Sequence, residues 1–391
     1  MPPTIDLEDL GLDDGGHLLL NRALAALPPG QGLLVTGQSP MLGLHLGAWC
    51  RAEGHGLERR GDELVVLPGT AARDRWAGSV RAGDAAGPAE LADRRWGLAA
   101  RGALVETGGP PLSVEWVDRE HVWADVAPTL YANATANQWD PATVVDWTAT
   151  IAVPTDIEDA VVQIMTYLVE NEQAALIIPA RLLGQLHPHF REVVQLLAAQ
   201  VADEARHVEV FTRRALLKRD TLGVSGAGGR ASLQTLVGEH DFTMASFLLS
   251  VLGEGTFLDL LRFLQEHAPD SLTAEITRLA GRDEARHVAF GVAHTAQVAS
   301  SDPTFLARLR AAVERRHSVL ADTAGLNRDV FDSLVLMAAG SWSPAAVKQG
   351  WQRVQALQQA MDEGRRRRLA FIGFPDDEAA EISALHTRNF M

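Results

Sequence analysis

Cysteine is almost missing from this chain of 391 residues. The single cysteine, Cys50, excludes a disulfide within the chain and leaves no Cys-rich cluster site. No run of about eighteen apolar residues appears, which argues against a membrane-spanning helix. The amino terminus, Met1 to Asp6, lacks the basic and then apolar pattern of a signal peptide, so the expected location is cytoplasmic.

Positive charge is also in deficit. The chain has 35 lysines and arginines against 50 aspartates and glutamates, a formal net charge of −15. This charge argues against nucleic acid or an anionic membrane as a partner. The one basic run, Arg365 to Arg368, is predicted to end a helix, where cations offset the helix dipole. At 47% hydrophobic residues, the chain is expected to bury a sizeable core and to form two domains.

One hexapeptide occurs twice in the sequence. Asp-Glu-Ala-Arg-His-Val fills residues 203–208 and recurs unchanged at residues 283–288, eighty residues later. Residues three apart on a helix share a face, so the Glu and His of each copy can bind one metal ion. Solenoid repeats have periods of roughly 20 to 50 residues, so this longer spacing instead favours a helical hairpin duplicated within a bundle.

A lone acidic residue in an apolar segment precedes each copy of the hexapeptide. Before the first copy, Glu172 shares its helical face with apolar residues, whereas the face of Glu170 is more polar. Glu172 is therefore the predicted ligand and Glu170 the reserve choice. Before the second copy, Glu254 is the only acid in the apolar run 247–258. Each spacing is long enough for a helix, a short turn and a return to the same level.

The predicted site is a pair of metal ions held by four carboxylates and two imidazoles. A single Asp-Glu-x-Arg-His string is usually a solvated helix surface with a Glu–Arg pair, but its identical recurrence favours the metal site. The donor set favours iron or manganese over structural zinc, which normally recruits thiolates. The predicted ligands are Glu172, Glu204, His207, Glu254, Glu284 and His287.

This ligand set resembles that of the ferritin-like di-iron carboxylate superfamily. The Asp-Glu-x-Arg-His motif is similar to that of the hydroxylase subunits of bacterial multicomponent monooxygenases, and the likeness covers roughly residues 120–300. The resemblance implies a mainly α fold, with a ferritin-like four-helix bundle and extra helices. It also implies two iron ions as the cofactor, with manganese as an alternative, and O2 as a co-substrate.

The resemblance further assigns roles to the other charged residues of the motif. In such hydroxylases the aspartate beside the ligand glutamate orients a ligand histidine of the other hairpin. The pairs carried over are Asp203 with His287 and Asp283 with His207. Arg206 and Arg286 are implied to neutralise excess carboxylate charge; the alternative for these aspartates and arginines is an ordinary salt bridge on a helix surface.

The predicted function is an O2-dependent oxidoreductase. The first hypothesis is an oxygenase that hydroxylates or N-oxygenates a small organic molecule, with an external donor supplying electrons. One alternative is a di-metal oxidase or desaturase, and another is non-enzymatic iron handling of the ferritin type. The chain is more than twice as long as a bare bundle needs, which argues against storage. A homodimer is the mild expectation for bundles of this type.

The first 69 residues predict a small α/β two-layer domain in the order β-α-β-α-β-β. This domain resembles the TusA-like family of bacterial sulfur carriers, on the residues Leu10 to Leu12, Leu33 to Thr36 and Trp49 to His55. That family carries a reactive Cys-Pro-x-Pro at the start of the first helix, where this chain has Asp13 to Gly16. The domain is therefore interpreted as a scaffold or docking module, and Cys50 as a packed apolar residue.

Residues 70–119 are predicted to be a linker and an irregular covering segment, and residues 120–391 the helical di-metal domain. A helix is expected over residues 120–138, before Pro141, with its aromatic residues mainly in the core. Beyond the second hexapeptide, four helices are predicted to extend the bundle. They run near Pro303 to Asp322, Asn327 to Ala339, Pro344 to Arg368 and Asp376 to His386.

Overall fold

The computed structural model describes residues 2–70, 75–302, 304–320 and 328–386. The chain divides into two units, each described by itself below. The first contains Met1–Gly87 and Arg95–Pro111, and the second contains Pro88–Arg94 and Leu112–Met391. The described residues are mainly helical with a small α/β portion, which confirms the predicted fold class.

The first unit begins with the predicted β-α-β-α-β-β order. Its sheet has the strand order β1-β2-β4-β3, with β1 parallel to β2 and the other neighbours antiparallel. The turn between β3 and β4 contains Gly61 at φ 64°, a left-handed conformation that favours glycine. The elements are β1, Thr4–Asp6; α1, His17–Ala25; β2, Leu33–Thr36; α2, Leu42–Glu53; β3, Gly56–Arg60; and β4, Glu63–Leu67.

Cys50 lies in the core between this sheet and its two helices, as predicted. It is buried among leucines and valines, including Leu20, Leu46 and Val66. Burial raises the pKa of the Cys50 thiol to about 11, so the group stays protonated and packs as a small apolar side chain. Further along the same unit, β5 (Val80–Arg81) pairs antiparallel with β6 (Leu104–Val105).

The helix expected over residues 120–138 is shorter than predicted. In the structure α3 covers Ala127–Ala136, and a four-residue helix α4, Pro141–Val144, follows it. Pro128 is the physical reason for the late start, because proline is well accommodated only in the first turn of a helix, where its missing N–H would have no partner.

The core of the second unit is two pairs of long helices, as the duplicated hexapeptide predicts. A short turn at Pro188–Phe190 connects the first pair, and Asp270 separates the second pair and caps its latter helix by accepting from Thr273 N at 2.7 Å. The pairs are α5, Thr155–Gly184, with α6, Arg191–Ala215, and α8, Phe242–His267, with α9, Ser271–Ser301. Between them in sequence lies α7, Ala227–Val237.

Four further helices follow the two pairs, as predicted. They are α10, Phe305–Leu320; α11, Arg328–Ala339; α12, Pro344–Ile372; and α13, Asp376–His386. The predicted ends at Pro303, Asp322 and Asn327 lie outside the described residues. Helix α11 packs against α5 and α12, and α12 also packs against α8.

The prediction for the arginine run was wrong. Arg365 to Arg368 lie within α12, which continues to Ile372. Arg365 is buried and donates to Thr256 Oγ1 of α8, and Arg368 donates to the carbonyl of Val251 at 2.8 Å. The run therefore ties α12 to α8 instead of ending a helix, because long arginine side chains can reach acceptors on a neighbouring helix.

Helix α8 has an unusual middle. Its residues Phe247–Glu254 form a π-helical segment, and all eight are buried. Among the described residues, α8 is the one single helix with the length and apolar composition of a membrane span, and the α11–α12 pair passes the same test only across a 119° bend. The apolar window of α8 is 89% buried inside the protein, as the central helix of a bundle requires.

An ion network joins one end of the two helix pairs. Arg214 near the end of α6 donates to both oxygens of Glu158 on α5, at 2.6 and 3.0 Å. It also donates to Asp270, the capping residue of α9, at 2.8 Å. Arg214 and Glu158 are fully buried, so their charges are balanced almost entirely by each other and by Asp270.

Candidate metal centre

The structure brings the six predicted ligands together at the centre of the bundle. Their donor atoms form two groups of four, and the atoms within each group lie within 4.8 Å of one another. Glu204 and Glu284 belong to both groups. Glu172 and His207 complete one group, and Glu254 and His287 complete the other. All six side chains are buried.

The helix pairs explain this convergence. Helix α5 contributes Glu172 and α8 contributes Glu254, one residue from each. Helices α6 and α9 each contribute the Glu and His of a hexapeptide, and their spacing of three residues puts both on the inward face. The reserve choice, Glu170, belongs to neither group and is partly exposed on the adjacent face of α5.

Each imidazole presents its Nδ1 atom to the carboxylates. For His207, Nδ1 lies 3.1 Å from Glu204 Oε2, 3.5 Å from Glu172 Oε2 and 3.4 Å from Glu284 Oε1. For His287, Nδ1 lies 3.0 Å from Glu204 Oε1 and 3.3 Å from Glu284 Oε2. Nδ1 is therefore the nitrogen that would bind metal on both rings.

The opposite ring nitrogens face the aspartates of the other hexapeptide. His207 Nε2 lies 3.4 Å from Asp283 Oδ2, and His287 Nε2 lies 3.3 Å from Asp203 Oδ2. These contacts cross from one helix pair to the other. A carboxylate in this place keeps the proton on Nε2 and leaves the Nδ1 lone pair free for a cation.

The two arginines of the hexapeptides hold these aspartates in place. Arg286 Nη2 donates to Asp283 Oδ1 at 2.7 Å and to Asp203 Oδ2 at 3.0 Å. Arg206 Nη2 donates to Asp203 and, at 3.2 Å, to Asp283 Oδ2. Each arginine thus contacts both aspartates. The four residues form a closed, charge-balanced layer behind the imidazoles, because two guanidinium groups face two carboxylates.

Three neutral residues that the sequence did not single out also contact this centre. The Trp139 indole N–H donates to Asp283 Oδ2 at 2.6 Å, and Gln138 Oε1 accepts from Arg206 Nη1 at 2.8 Å. On α6, Gln200 Nε2 donates to Glu254 Oε1 at 3.0 Å. Gln200 lies four residues before Glu204 on the same helical face, and this spacing is a signal that could have identified it.

The carboxylates repel one another strongly at this depth. Burial, followed by repulsion from Glu204 and Glu284, raises the pKa of Glu172 well above its ordinary value. Burial and repulsion from Glu284 do the same to the pKa of Glu254. Burial alone would raise the pKa of Glu204 as well, but the adjacent imidazoles of His287 and His207 hold it below the ordinary range.

Two divalent cations fit this donor set. Glu172 Oε1 and Glu254 Oε2 are buried and have no hydrogen-bond partner within the described residues, although buried polar atoms are normally satisfied. A cation in each group would satisfy these oxygens and relieve the carboxylate repulsion. Oxygen donors with one imidazole per ion suit iron and manganese, and no thiolate is near to favour structural zinc.

A narrow, mainly apolar cavity adjoins the site. Its empty volume is about 330 Å³. Glu172, Glu254 and Glu284 lie at one side of it, and Leu233 and Leu236 of α7 contribute to the opposite wall. The larger cavities of the described chain are lined by none of the six ligands. This cavity is therefore the described space in which a small molecule would reach the metals.

Comparison with known proteins found no matching family model and no matching curated protein. Solved structures gave remote likenesses. An R2-like ligand-binding oxidase with an aerobically reconstituted metal cofactor after photoconversion is 15% identical, with a TM-score of 0.41, over 67% of this chain and 90% of that chain. The same kind of oxidase with an aerobically reconstituted Mn/Fe cofactor, after a long soak, is 16% identical, with a TM-score of 0.41, over 68% and 91%. The interpretation of the site rests on its own geometry.

Proposed function

We propose that the protein is an O2-dependent oxidoreductase with two iron ions, or one manganese and one iron ion, and that it oxygenates a small organic molecule. The observation that carries this proposal is the sharing of Glu204 and Glu284 between two groups of buried donor atoms. Shared carboxylates hold two ions close enough to act on one substrate molecule.

When bound, a reduced pair of such ions supplies the electrons and the Lewis acidity that activate O2. The residues of this chain then have three tasks. Glu204 and Glu284 keep both ions at a fixed separation, while Asp203 and Asp283 keep the proton on the outer nitrogen of each imidazole. The apolar wall formed by Leu233 and Leu236 excludes water from the side where the substrate would lie.

The apolar cavity supports an oxygenase over iron storage. Iron destined for storage would have to pass through a route lined with acidic or other polar side chains. The wall opposite the metal site is instead leucine, and the remaining cavity side chains beyond the ligand glutamates are almost all apolar. Such a wall suits the hydrocarbon part of an organic molecule.

The test is anaerobic loading with Fe(II) followed by a pulse of O2. We expect two irons per chain and a transient absorption in the visible region whose decay rate changes when substrate is present. Mass spectrometry of the small molecules that co-purify with the protein supplies candidate substrates. Uptake of many irons per chain into a cage-sized assembly would instead indicate storage.

Labelled oxygen separates the two enzymatic alternatives. With ¹⁸O2, an oxygenase places one labelled atom in the organic product. An oxidase or desaturase removes hydrogen from the substrate and releases the label entirely as water. Incorporation of label into product is the outcome that we expect, and its complete absence at full substrate conversion would contradict the oxygenase.

We also propose that electrons come from an external donor. Two ions that each change by one unit of charge supply only two electrons, so each new turnover of an oxygenase needs two more from outside the site. An added reductant should therefore convert single turnover into multiple turnover. A small-molecule substrate, no nucleic acid or membrane partner, and a homodimer complete the proposal, the last testable by sedimentation.

The amino-terminal unit is proposed to be a scaffold or docking module and not a sulfur carrier. Asp13 to Gly16 occupy the start of α1, where a reactive thiol would be needed, and Cys50 is buried in the core. Deletion of residues 1–69 should leave two metals per chain. Loss of both ions in the deletion variant, measured by elemental analysis, would show that the unit is needed to form the metal centre.

A further inference from the structure

A buried arginine outside the metal centre lacks a partner of opposite charge. Arg316 on α10 is only 5% exposed. Its guanidinium donates to Thr235 Oγ1 at 2.8 Å and to Ser232 Oγ at 2.7 Å, both on α7. Within the described residues, no carboxylate lies within ion-pair distance of Arg316. Buried charges are normally paired, so this guanidinium departs from the rule.

The other buried arginines show what is missing. Arg214 has Glu158 and Asp270 against its guanidinium. For Arg316, burial lowers the pKa to about 10, and no acidic neighbour opposes that effect. A group with this pKa is still protonated at neutral pH. The region around Arg316 therefore contains one positive charge that protein atoms do not neutralise.

A second donor without a partner lies near Arg316. The Tyr167 hydroxyl on α5 is buried and has no hydrogen-bond partner within the described residues. Burial raises the pKa of Tyr167, so the hydroxyl keeps its proton and can donate it. The phenol and the guanidinium are close enough for each to influence the pKa of the other. Their joint requirement is an acceptor that carries negative charge.

This pair of donors lies beside the cavity that adjoins the metal centre. Tyr167 precedes the predicted ligand Glu172 by five residues on α5, or about 7.5 Å along the helix axis. Its ring stacks on Phe257, which lines the cavity, with ring centroids 5.8 Å apart. Helix α7, which Arg316 binds through two hydroxyls, supplies the leucines of the cavity wall.

We propose that Arg316 and Tyr167 bind the carboxylate of an organic acid whose apolar part occupies the cavity beside Glu172 and Glu254. Ser232 and Thr235 hold the guanidinium in the orientation that receives the carboxylate. That the acid is a substrate rests on the proposed function, whereas the binding of a carboxylate does not. The carboxylate would lie away from the metals, and the apolar part would be presented to them.

A singly charged anion fits this place better than a doubly charged one. Arg316 supplies one positive charge, and Tyr167, Ser232 and Thr235 supply hydroxyls without charge. A carboxylate cancels that single charge, whereas a phosphate dianion would bring a second, unbalanced negative charge into a buried region. The planar guanidinium also matches the two oxygens of a carboxylate.

The test compares an acid with its amide on the full-length protein loaded anaerobically with Fe(II). The probes are 3-phenylpropanoate and 3-phenylpropanamide, which have the same shape and differ in charge, and affinity is measured by isothermal titration calorimetry. We expect the acid to bind at least tenfold more tightly than the amide. Arg316→Gln should remove this preference, Tyr167→Phe should weaken acid binding severalfold, and Arg316→Lys should retain part of the preference.

Arg310→Gln is the matched control, because Arg310 lies on the same helix but forms exposed ion pairs with Glu314 and Glu381. It should bind the acid like wild type. Formate serves as the carboxylate without an apolar part, and binding of formate as tightly as 3-phenylpropanoate would overturn the cavity part of the proposal. Equal affinity for acid and amide, or an unchanged acid affinity in both Arg316 variants, would overturn it altogether.

Metal counting keeps this proposal separate from the proposed function. The Arg316 variants should retain two irons per chain and should fold with wild-type circular dichroism. Repeating the titrations on metal-free protein removes any direct binding of the carboxylate to iron. A protein without O2 chemistry that still prefers the acid through Arg316 would contradict the oxidoreductase and support the carboxylate site.

Discussion

The indole N–H of Trp139 and Oδ2 of Asp283 are joined by a hydrogen bond of 2.6 Å. The same oxygen lies 3.4 Å from His207 Nε2, so the tryptophan contacts the carboxylate that orients a predicted ligand. Arg206 lies over the indole ring, 5.0 Å from its centroid. Trp139 thus limits the positions that Asp283 can adopt, and through Asp283 it fixes the plane of the imidazole.

Trp139→Phe tests this relationship. The ring remains in the core but the donor is lost, so we expect two metals per chain to remain while the affinity for one of them falls about tenfold. The free energy of unfolding of the metal-free protein should fall by about 1.5 to 3 kcal/mol, the usual range for a hydrogen bond to a charged group. Competition with a chelator gives the metal affinity, and urea denaturation gives the stability.

Trp147→Phe is the control for this change. Its indole N–H donates to the carbonyl of Pro141 and not to an aspartate of the centre. This variant should lose stability but keep wild-type metal affinity. A Trp139→Phe protein whose two metal affinities stay within twofold of wild type would show that Asp283 needs no support from the indole.

Shared and unshared glutamates should give different metal counts. Glu204 and Glu284 belong to both groups of donors, so Glu204→Ala or Glu284→Ala should prevent retention of both ions. Glu172 and Glu254 each belong to one group, so Glu172→Ala or Glu254→Ala should leave about one ion per chain. Elemental analysis after dialysis and anomalous scattering from crystals would locate the ion that remains.

Glu170→Ala is the matched control for the metal counts, because Glu170 lies on the same helix as Glu172 but in neither group. It should retain two ions. Equal metal loss from all four glutamate variants would show that no carboxylate is shared in the way the geometry indicates. Full stoichiometry in the Glu204→Ala variant would contradict the metal centre itself.

The six predicted ligands could be identified from the sequence because helical geometry is local and periodic. A Glu and a His three residues apart must share a face, and an acid in an apolar run, such as Glu254, must be buried with its helix. The sharing of Glu204 and Glu284 was not predictable in this way. It depends on how close the two helix pairs approach, which no spacing within one helix encodes.

Other features depend on contacts between elements that are distant in sequence. The bond from Trp139 to Asp283 spans 144 residues, and the grip of Arg368 on Val251 spans 117. The π-helical segment of α8 was also not predicted, because its apolar residues fit an α-helix equally well. The late start of α3 was readable in principle, since Pro128 marks a first turn.

The close contact of α9 with the π-helical segment of α8 should be sensitive to one methyl group. A Cβ on Gly291 would lie 2.5 Å from Ser250 Cβ, which is impossible without movement of a helix. Gly291→Ala should therefore destabilise the protein by about 1 to 3 kcal/mol. It should also weaken metal binding, because His287 and Glu254 lie on the two helices that are pushed apart.

Gly281→Ala supplies the comparison on the same helix. Its new Cβ would meet nothing nearer than Leu261 Cβ at 3.6 Å, an ordinary contact. Alanine favours the helix over glycine, so this variant should be as stable as wild type or more stable by up to about 1 kcal/mol. Both quantities follow from thermal and chelator titrations; a Gly291→Ala variant as stable as Gly281→Ala would contradict the close approach.

Stability should rise with pH in a window set by His294. This side chain is fully buried, with Nδ1 2.9 Å from the carbonyl of Trp123 and Nε2 2.9 Å from Thr243 Oγ1. Burial lowers the pKa of His294 from 6.5 to about 4, with only weak opposing influence from Asp241. The folded protein therefore keeps the ring neutral.

The sign of the effect follows from proton binding. Between about pH 4 and 6.5 the unfolded chain binds a proton at His294 that the folded protein does not, so stability is lost as the pH falls through this window. The loss amounts to at most about 3 kcal/mol. Unfolding curves of wild type and His294→Gln from pH 7 to pH 4 should diverge by that amount; parallel curves would contradict the depressed pKa.

The ion network around Arg214 should be the most sensitive electrostatic contact away from the metals. Arg214→Met leaves Glu158 buried without its cation, and we expect a loss of about 3 to 5 kcal/mol in the free energy of unfolding. The adjacent Arg213 is exposed and lies over the Trp147 ring, so Arg213→Met should lose less than about 1 kcal/mol. Adding Glu158→Gln to Arg214→Met removes the unpaired charge and should restore part of the stability. Urea denaturation of the three variants decides the matter, because failure of the double variant to recover would locate the loss in packing and not in an uncompensated carboxylate.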